Sequence, residues 1–223
     1  MDKANAEALF ERARIYSRIS HPKEIPWAER TTPETFRNMK SRRFLMEYCW
    51  VVYASGFRVS VLEPIFPNLR RAFKNFDLQA LSRMHSISAP LAVFKNEKKA
   101  TCYLAGCHLI AREGFPRFKA RVRATGIDAL QSLPGVGTIT KFHLAKNIGL
   151  ADVAKPDIWL VRAAAACATD VVTLVDFLSL STGFSRHVVD VILWRYGADG
   201  KFAEEMRDRK GLTALSMKGG ILE

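Results

Sequence analysis

Residues 125–150 read TGIDALQSLPGVGTITKFHLAKNIGL, and this stretch decides the fold. A short helix ending near Leu133 runs into Pro134-Gly135-Val136-Gly137, and a second helix begins at about Thr138. Two glycines around one apolar residue permit a tight turn with a positive φ and let the backbone approach a ligand closely. The N–H groups of the turn and of the following helix start then face outward, a natural seat for a phosphate. Val136 is expected to plug the space between the two helices. A bulkier residue at Gly137 is expected to distort the turn and weaken binding to every DNA sequence alike. The plain alternative is an ordinary tight turn between two helices.

Charge favours the phosphate-binding reading. Thirty-four Lys and Arg stand against 22 Asp and Glu, a net charge of +12. Such a surplus points to a polyanionic partner, most often nucleic acid. The charge is clustered just upstream of the hairpin, where Arg112, Arg117, Lys119, Arg121 and Arg123 face one acid, Glu113.

Outward from the hairpin, helical periodicity dominates and hairpin-strand signals are scarce, so the expected class is all-α. A first helix is expected from about Asn5 to Ile19, then a proline-rich loop over residues 20–34, with a new helix starting at Thr32-Pro33-Glu34. FLMEYCWVVYASGF, from Phe44 to Phe57, is apolar nearly all round and suits a buried helix. VSVLEPIFPNLRRAF reads as another helical stretch with Pro64 in its first turns, where proline is tolerated. Asp77 opens a short helix, and Asn96 to Gly114 a longer one. Three more are expected over residues 158–168, 171–180 and 185–196, Ser185 serving as N-cap and Gly197 as the residue after the last turn. A mixed charged and glycine-containing tail follows Ala198 and is expected to be only partly ordered.

Leu133-Pro134-Gly135-Val136-Gly137, then Thr140, then Asp157 and Arg162 resemble the helix-hairpin-helix DNA glycosylase superfamily that includes endonuclease III. KPDIWLVRAAA follows the hairpin at matching spacing. Upstream, SGFRVSVLEPIFP is similar to the helix turn behind the family's DNA-intercalating loop, and NEKKATCYLAGCHLI to the helix before its hairpin. The resemblance covers Phe44 to Ala166 and implies two helical lobes. Residues 35–149 would form a six-helix barrel carrying the helix-hairpin-helix, and residues 1–34 with 150–223 the second lobe, with the active site in the cleft between them. The implied DNA contacts are Leu133, Gly135, Val136, Gly137, Thr138, Thr140 and Lys141 of the hairpin, with Ser55 and Arg58 from the wedge region. Ser55 matches the intercalating position, and Phe57 and Arg58 are alternatives for it. His143 is within reach of a phosphate.

Asp157 follows a proline and precedes an apolar helix, a position where aspartate is a common N-cap. The resemblance adds a catalytic role: its carboxylate would stabilise a developing oxocarbenium ion and position or deprotonate the attacking water. Asp128 and Asp152 are weaker candidates. Ile139 departs from the family pattern, because members with lyase activity carry there a lysine that forms a Schiff base with the sugar. Lys141 lies two residues on, about 200° around a helix, and is expected to contact a phosphate or stay solvated. The four-cysteine iron–sulfur motif of some relatives is also missing. Cys49, Cys102, Cys107 and Cys167 are scattered, without a CxxC pair, and read as reduced thiols.

An extruded base needs an aromatic or apolar pocket. Tyr48, Trp50 and Tyr53 precede Gly56, and Trp159 follows Asp157 closely; these are the candidates, although aromatics at helical spacing are more often core. The combined expectation is a monofunctional DNA glycosylase acting as a monomer on double-stranded DNA with an extruded base. It would need no metal or other cofactor, would not engage a membrane, and would be cytoplasmic. Alternatives are a defence glycosylase excising modified phage cytosines, a glycosylase/lyase, and a non-catalytic binding module.

Overall fold

The computed structural model describes residues 1–202, which are helical throughout with no strand among them. In chain order the helices are α1 (Lys3–Ser20), α2 (Glu24–Arg30), α3 (Pro33–Asn38), α4 (Ser41–Ala54), α5 (Val59–Leu62), α6 (Phe66–Ala72) and α7 (Leu78–Ser82). Then come α8 (Ser88–Val93), α9 (Glu97–Glu113), α10 (Phe115–Thr125), α11 (Thr140–Ile148), α12 (Ile158–Ala166), α13 (Val171–Thr182) and α14 (Arg186–Ala198). Short 3-10 helices cover Lys74–Phe76 and Ile127–Ser132. The chain divides into two compact units, Arg30–Lys155 and Met1–Glu29 with the segment from Pro156 onward. The boundaries thus fall at 29/30 and 155/156, a few residues from the expected 34/35 and 149/150. Of the charged tail expected after Ala198, the part beyond residue 202 lies outside the described residues.

Side-chain oxygens start many of these helices. Asp2, Asp77, Asn96, Asp157, Asp170 and Ser185 each accept a hydrogen bond from a backbone N–H of the following turn. Each satisfies a donor that the helix itself cannot. In α1 the buried residues Ala6, Leu9, Phe10, Ala13 and Ser17 recur at helical spacing and form one stripe. Asp2 N–H donates to the Cys167 carbonyl (2.8 Å) and Asn5 Nδ2 to the Ala166 carbonyl (2.7 Å), tying α1 to the end of α12. Phe10 packs on Phe184 with ring centroids 6.2 Å apart.

In the other unit, α4 is buried along most of its circumference, through Phe44, Leu45, Tyr48, Cys49, Val51, Val52 and Tyr53. Around it lie Leu69, Phe73, Phe76, Tyr103, Ile110, Phe118 and Leu144, forming one continuous core. Gly106 allows the close approach of α9, because a Cβ there would lie 2.1 Å from the Tyr48 hydroxyl.

Prolines and spacing mislead in three places. The segment expected as a loop over residues 20–34 contains α2, with Pro26 as its third residue. Proline is accepted there because the first N–H groups of a helix have no intrahelical acceptor to lose. The stretch from Val59 is broken into α5 and α6, and Pro64 sits in the break rather than in a helical first turn. Helices α8 and α10 have no counterpart in the expected elements. No single helix among the described residues is long and apolar enough to cross a membrane; α12 and α13 together are, but they are bent by 75° at their junction.

Candidate nucleic-acid interface and candidate catalytic carboxylate

The hairpin lies wholly in the unit Arg30–Lys155. Its first helix is the 3-10 segment Ile127–Ser132 and its second is α11. Leu133 and Val136 are buried in the core, and Val136 N–H donates to the Leu133 carbonyl at 3.0 Å. Gly135 has φ 83°, and a Cβ there would meet Val52 Cγ2 at 3.2 Å and Cys102 Cβ at 3.3 Å. The turn therefore demands glycine at this position on both counts. Gly137 is different. Its φ is not positive, and a Cβ would meet only Thr140 Oγ1, at 3.9 Å. The expectation that a side chain at Gly137 distorts the turn is corrected on this geometry.

Gly137 N–H is also already used, donating to Thr140 Oγ1 at 2.7 Å. Thr140 is thus a cap of the turn. Among the described residues the N–H groups of Thr138, Ile139 and Thr140 find no acceptor, the ordinary state of a helix's first turn. Those three donors lie beside the exposed Thr138 and Ile139 side chains. Ile139, at 42% exposure, presents an aliphatic side chain with no nucleophilic atom.

Lys141 is not spare. Its Nζ donates to Asp128 Oδ1 (2.6 Å) and Gln131 Oε1 (3.1 Å) and lies over the Phe142 ring. This bridge clamps α11 to the first hairpin helix and gives the weaker candidate Asp128 a structural partner. His143 is half-buried on α11, and Asp152 is exposed beyond it.

The loop Ser55–Arg58 and the hairpin are brought to one end of this unit by shared neighbours. Lys99 Nζ donates to the carbonyls of Val52 (2.6 Å) and Ser55 (2.7 Å), closing the end of α4. It also lies 5.2 Å from the Phe57 ring centroid, and Phe57 packs edge-on against Phe94 at 5.0 Å. Burial pulls the Lys99 ammonium below its ordinary value. Val52 meets Gly135, and the Tyr48 hydroxyl donates to the carbonyls of Cys102 (3.1 Å) and Pro134 (2.5 Å). Ser55, Gly56, Phe57 and Arg58 are exposed beside this anchor. Lys99 and the turn-holding role of Tyr48 were not legible in the sequence; the mid-helix Gly106 that makes room for Tyr48 was the available signal.

Two base-pocket candidates are corrected. Tyr48 and Tyr53 are fully buried in the core, out of reach of an extruded base. The Tyr53 hydroxyl has no hydrogen-bond partner among the described residues. Trp50 is half-buried and packs edge-on against Phe66 at 5.1 Å. Of the five basic residues between Arg112 and Arg123, two are occupied internally. Lys119 donates to the carbonyls of Arg37 and Met39, and Arg121 forms a two-point pair with Glu113.

Asp157 and Trp159 belong to the other unit. Asp157 Oδ1 accepts from the N–H groups of Trp159 (2.9 Å) and Leu160 (3.3 Å), so the carboxyl is fixed at the start of α12. Arg162 stacks 5.0 Å from the Trp159 ring centroid. A Cβ at Gly197 would lie 2.9 Å from Trp159 Cβ, so α14 closes directly on the base of that tryptophan. Among the described residues no three His, Cys, Asp or Glu side chains gather to hold a metal ion. The four cysteines are free, and burial pushes the Cys107 thiol up to about 12.

No protein-family model, no curated protein and no solved structure matches the chain.

Proposed function

We propose that this chain is a monofunctional DNA glycosylase, which extrudes a damaged or modified base from duplex DNA and hydrolyses its N-glycosidic bond. The observation that carries the reading is the hairpin turn. Gly135 at φ 83° leads into a helix start whose N–H groups at Thr138, Ile139 and Thr140 have no acceptor among the described residues, in a chain of net charge +12. Such a turn suits a backbone phosphate, and the exposed loop Ser55–Arg58 at the same end of the unit suits the disturbed base stack.

Asp157 is the proposed catalytic residue. Two backbone N–H groups orient its carboxyl, as a positioned acid or base requires. As the bond from C1′ to the base nitrogen breaks, its electron pair leaves with the base and positive charge develops on the sugar. The carboxylate stabilises that charge and takes a proton from the water that attacks C1′. The product is an intact abasic site and a free base. Ile139 supplies no amine, so no Schiff base forms at that position.

The test is single-turnover base release from alkylated, oxidised, deaminated and phage-modified duplexes, with binding measured alongside. The screen also decides between a repair and a phage-defence substrate. Asp157→Asn keeps the cap and is expected to bind normally while release falls on the order of 10²–10⁴-fold. Borohydride is expected to trap no protein–DNA adduct. Release from none of these duplexes would leave a binding module, and an Asn variant within a few-fold of wild type would make Asp157 only a cap.

A further inference from the structure

A second candidate site lies at the opposite end of the hairpin from its turn, where the first hairpin helix begins and α11 ends. A cavity of about 240 Å³ is lined there by Phe36, Arg37, Arg123, Ile127 and Leu150, and by the backbone of Gly149. Arg37 and Arg123 are the charged residues of the lining. Each lies in the last turn of its helix, Arg37 in α3 and Arg123 in α10. The negative end of the helix macrodipole favours a cation at such a place, and here two helix ends meet at one cavity. Arg37 shares Glu34, an exposed pair screened by solvent. A Cβ on Gly149 would lie 2.2 Å from the Thr32 carbonyl oxygen, so this glycine lets the end of α11 close against the start of α3.

The N–H groups of Gly126, Gly149 and Leu150 are taken by the carbonyls of Val122, Lys146 and Ala145. The two guanidinium groups supply the charge of the site, and Phe36, Ile127 and Leu150 its apolar lining. Among the described residues Arg123 pairs with no carboxylate, so a bound anion would complete it and would compete with the exposed Glu34 for Arg37. A phosphate monoester carries a charge near −2 at neutral pH, matches both, and accepts two-point hydrogen bonds from each.

We propose that this cavity binds a phosphate monoester attached to a flat apolar group, the chemistry shared by a nucleoside monophosphate and the 5′-phosphate end of a DNA strand. The cavity is smaller than most drug-sized pockets, which suits one nucleotide rather than a dinucleotide. Guanidinium planes also stack on bases.

Titration calorimetry of the full chain with adenosine 5′-monophosphate, inorganic phosphate, and short duplexes ending in 5′-phosphate or 5′-hydroxyl tests this. The monophosphate is expected to bind more tightly than inorganic phosphate. Arg123→Gln and Arg37→Gln are each expected to weaken it by about tenfold or more, with unchanged circular dichroism and Tm. A phosphorylated duplex preferred over both the hydroxyl duplex and the monophosphate assigns the site to strand ends; equal or tighter binding of the monophosphate assigns it to free nucleotide. Absence of binding by both phosphate esters up to about 1 mM, or undiminished binding by Arg123→Gln, overturns the proposal. The readout requires no base release, so the site stands or falls separately from the role of Asp157.

Discussion

Two glycines flank Val136, and the spacing gives them equal weight, yet the fold uses them differently. Gly135 needs its missing side chain twice, for φ 83° and for the space held by Val52 and Cys102. Gly135→Ala is therefore expected to cost about 1–3 kcal/mol, from the left-handed backbone and the overpacked contact. Gly137→Ala is expected to stay within about 1 kcal/mol, since its neighbourhood is open. Urea denaturation of the two variants separates them, and equal losses would contradict the geometry. That a turn lies here was legible from Pro134 and the glycine pair; which glycine is indispensable depends on Val52 and Cys102, far away in the chain. The Asp157 cap was legible for the opposite reason, since its partners lie two and three residues along.

At the scale of elements, α4 shows why the candidate pocket was only half readable. A helix apolar nearly all round carries no phase, so periodicity could not tell Tyr48 and Tyr53 from Trp50, the half-buried member of the three. Its one buried acid, Glu47, joins α4 to the second hairpin helix: Asn147 Nδ2 donates to Oε2 at 3.1 Å, and Arg43 pairs with Oε1 at 2.7 Å. Burial raises the Glu47 carboxyl above its ordinary 4.5, with Arg43 and Asn147 pulling it back. A raised acid favours the folded state most fully below the unfolded value and loses that advantage as pH climbs through the folded one. Relative to Glu47→Gln, which does not titrate, wild-type stability is thus expected to fall as pH rises from about 4.5 toward neutrality. Denaturant midpoints of both proteins across that range check the sign, and a constant difference would show that Glu47 is not desolvated. The Glu47–Asn147 contact spans 100 residues, so no local pattern announced it.

Across the whole molecule, the charge of +12 raised the expectation of a polyanionic partner without saying which cations were available for it. Lys119, Arg121 and Lys141 are occupied inside the fold, each by a partner distant enough in sequence to escape a reading by composition. The division into two units was expected only through the family resemblance, and the loop over residues 20–34 was misplaced because α2 accepts Pro26 in its first turn. One unit is assembled from both ends of the described chain, with α1 bonded to the end of α12 and Tyr16 to Asp199. This has a consequence on the ribosome. The segment Arg30–Lys155 is complete in sequence long before its companion, whose first helix emerges early and then waits on the order of ten seconds for α12 to α14 to be synthesised. Stalled nascent chains extending just past Lys155 are expected to resist protease from Arg30 onward while α1 is cut; exposure of the last three helices should then protect it. Until that moment the apolar stripe of Ala6, Leu9, Phe10 and Ala13 faces water or a chaperone, which makes α1 the natural handle for any factor attending the birth of this protein.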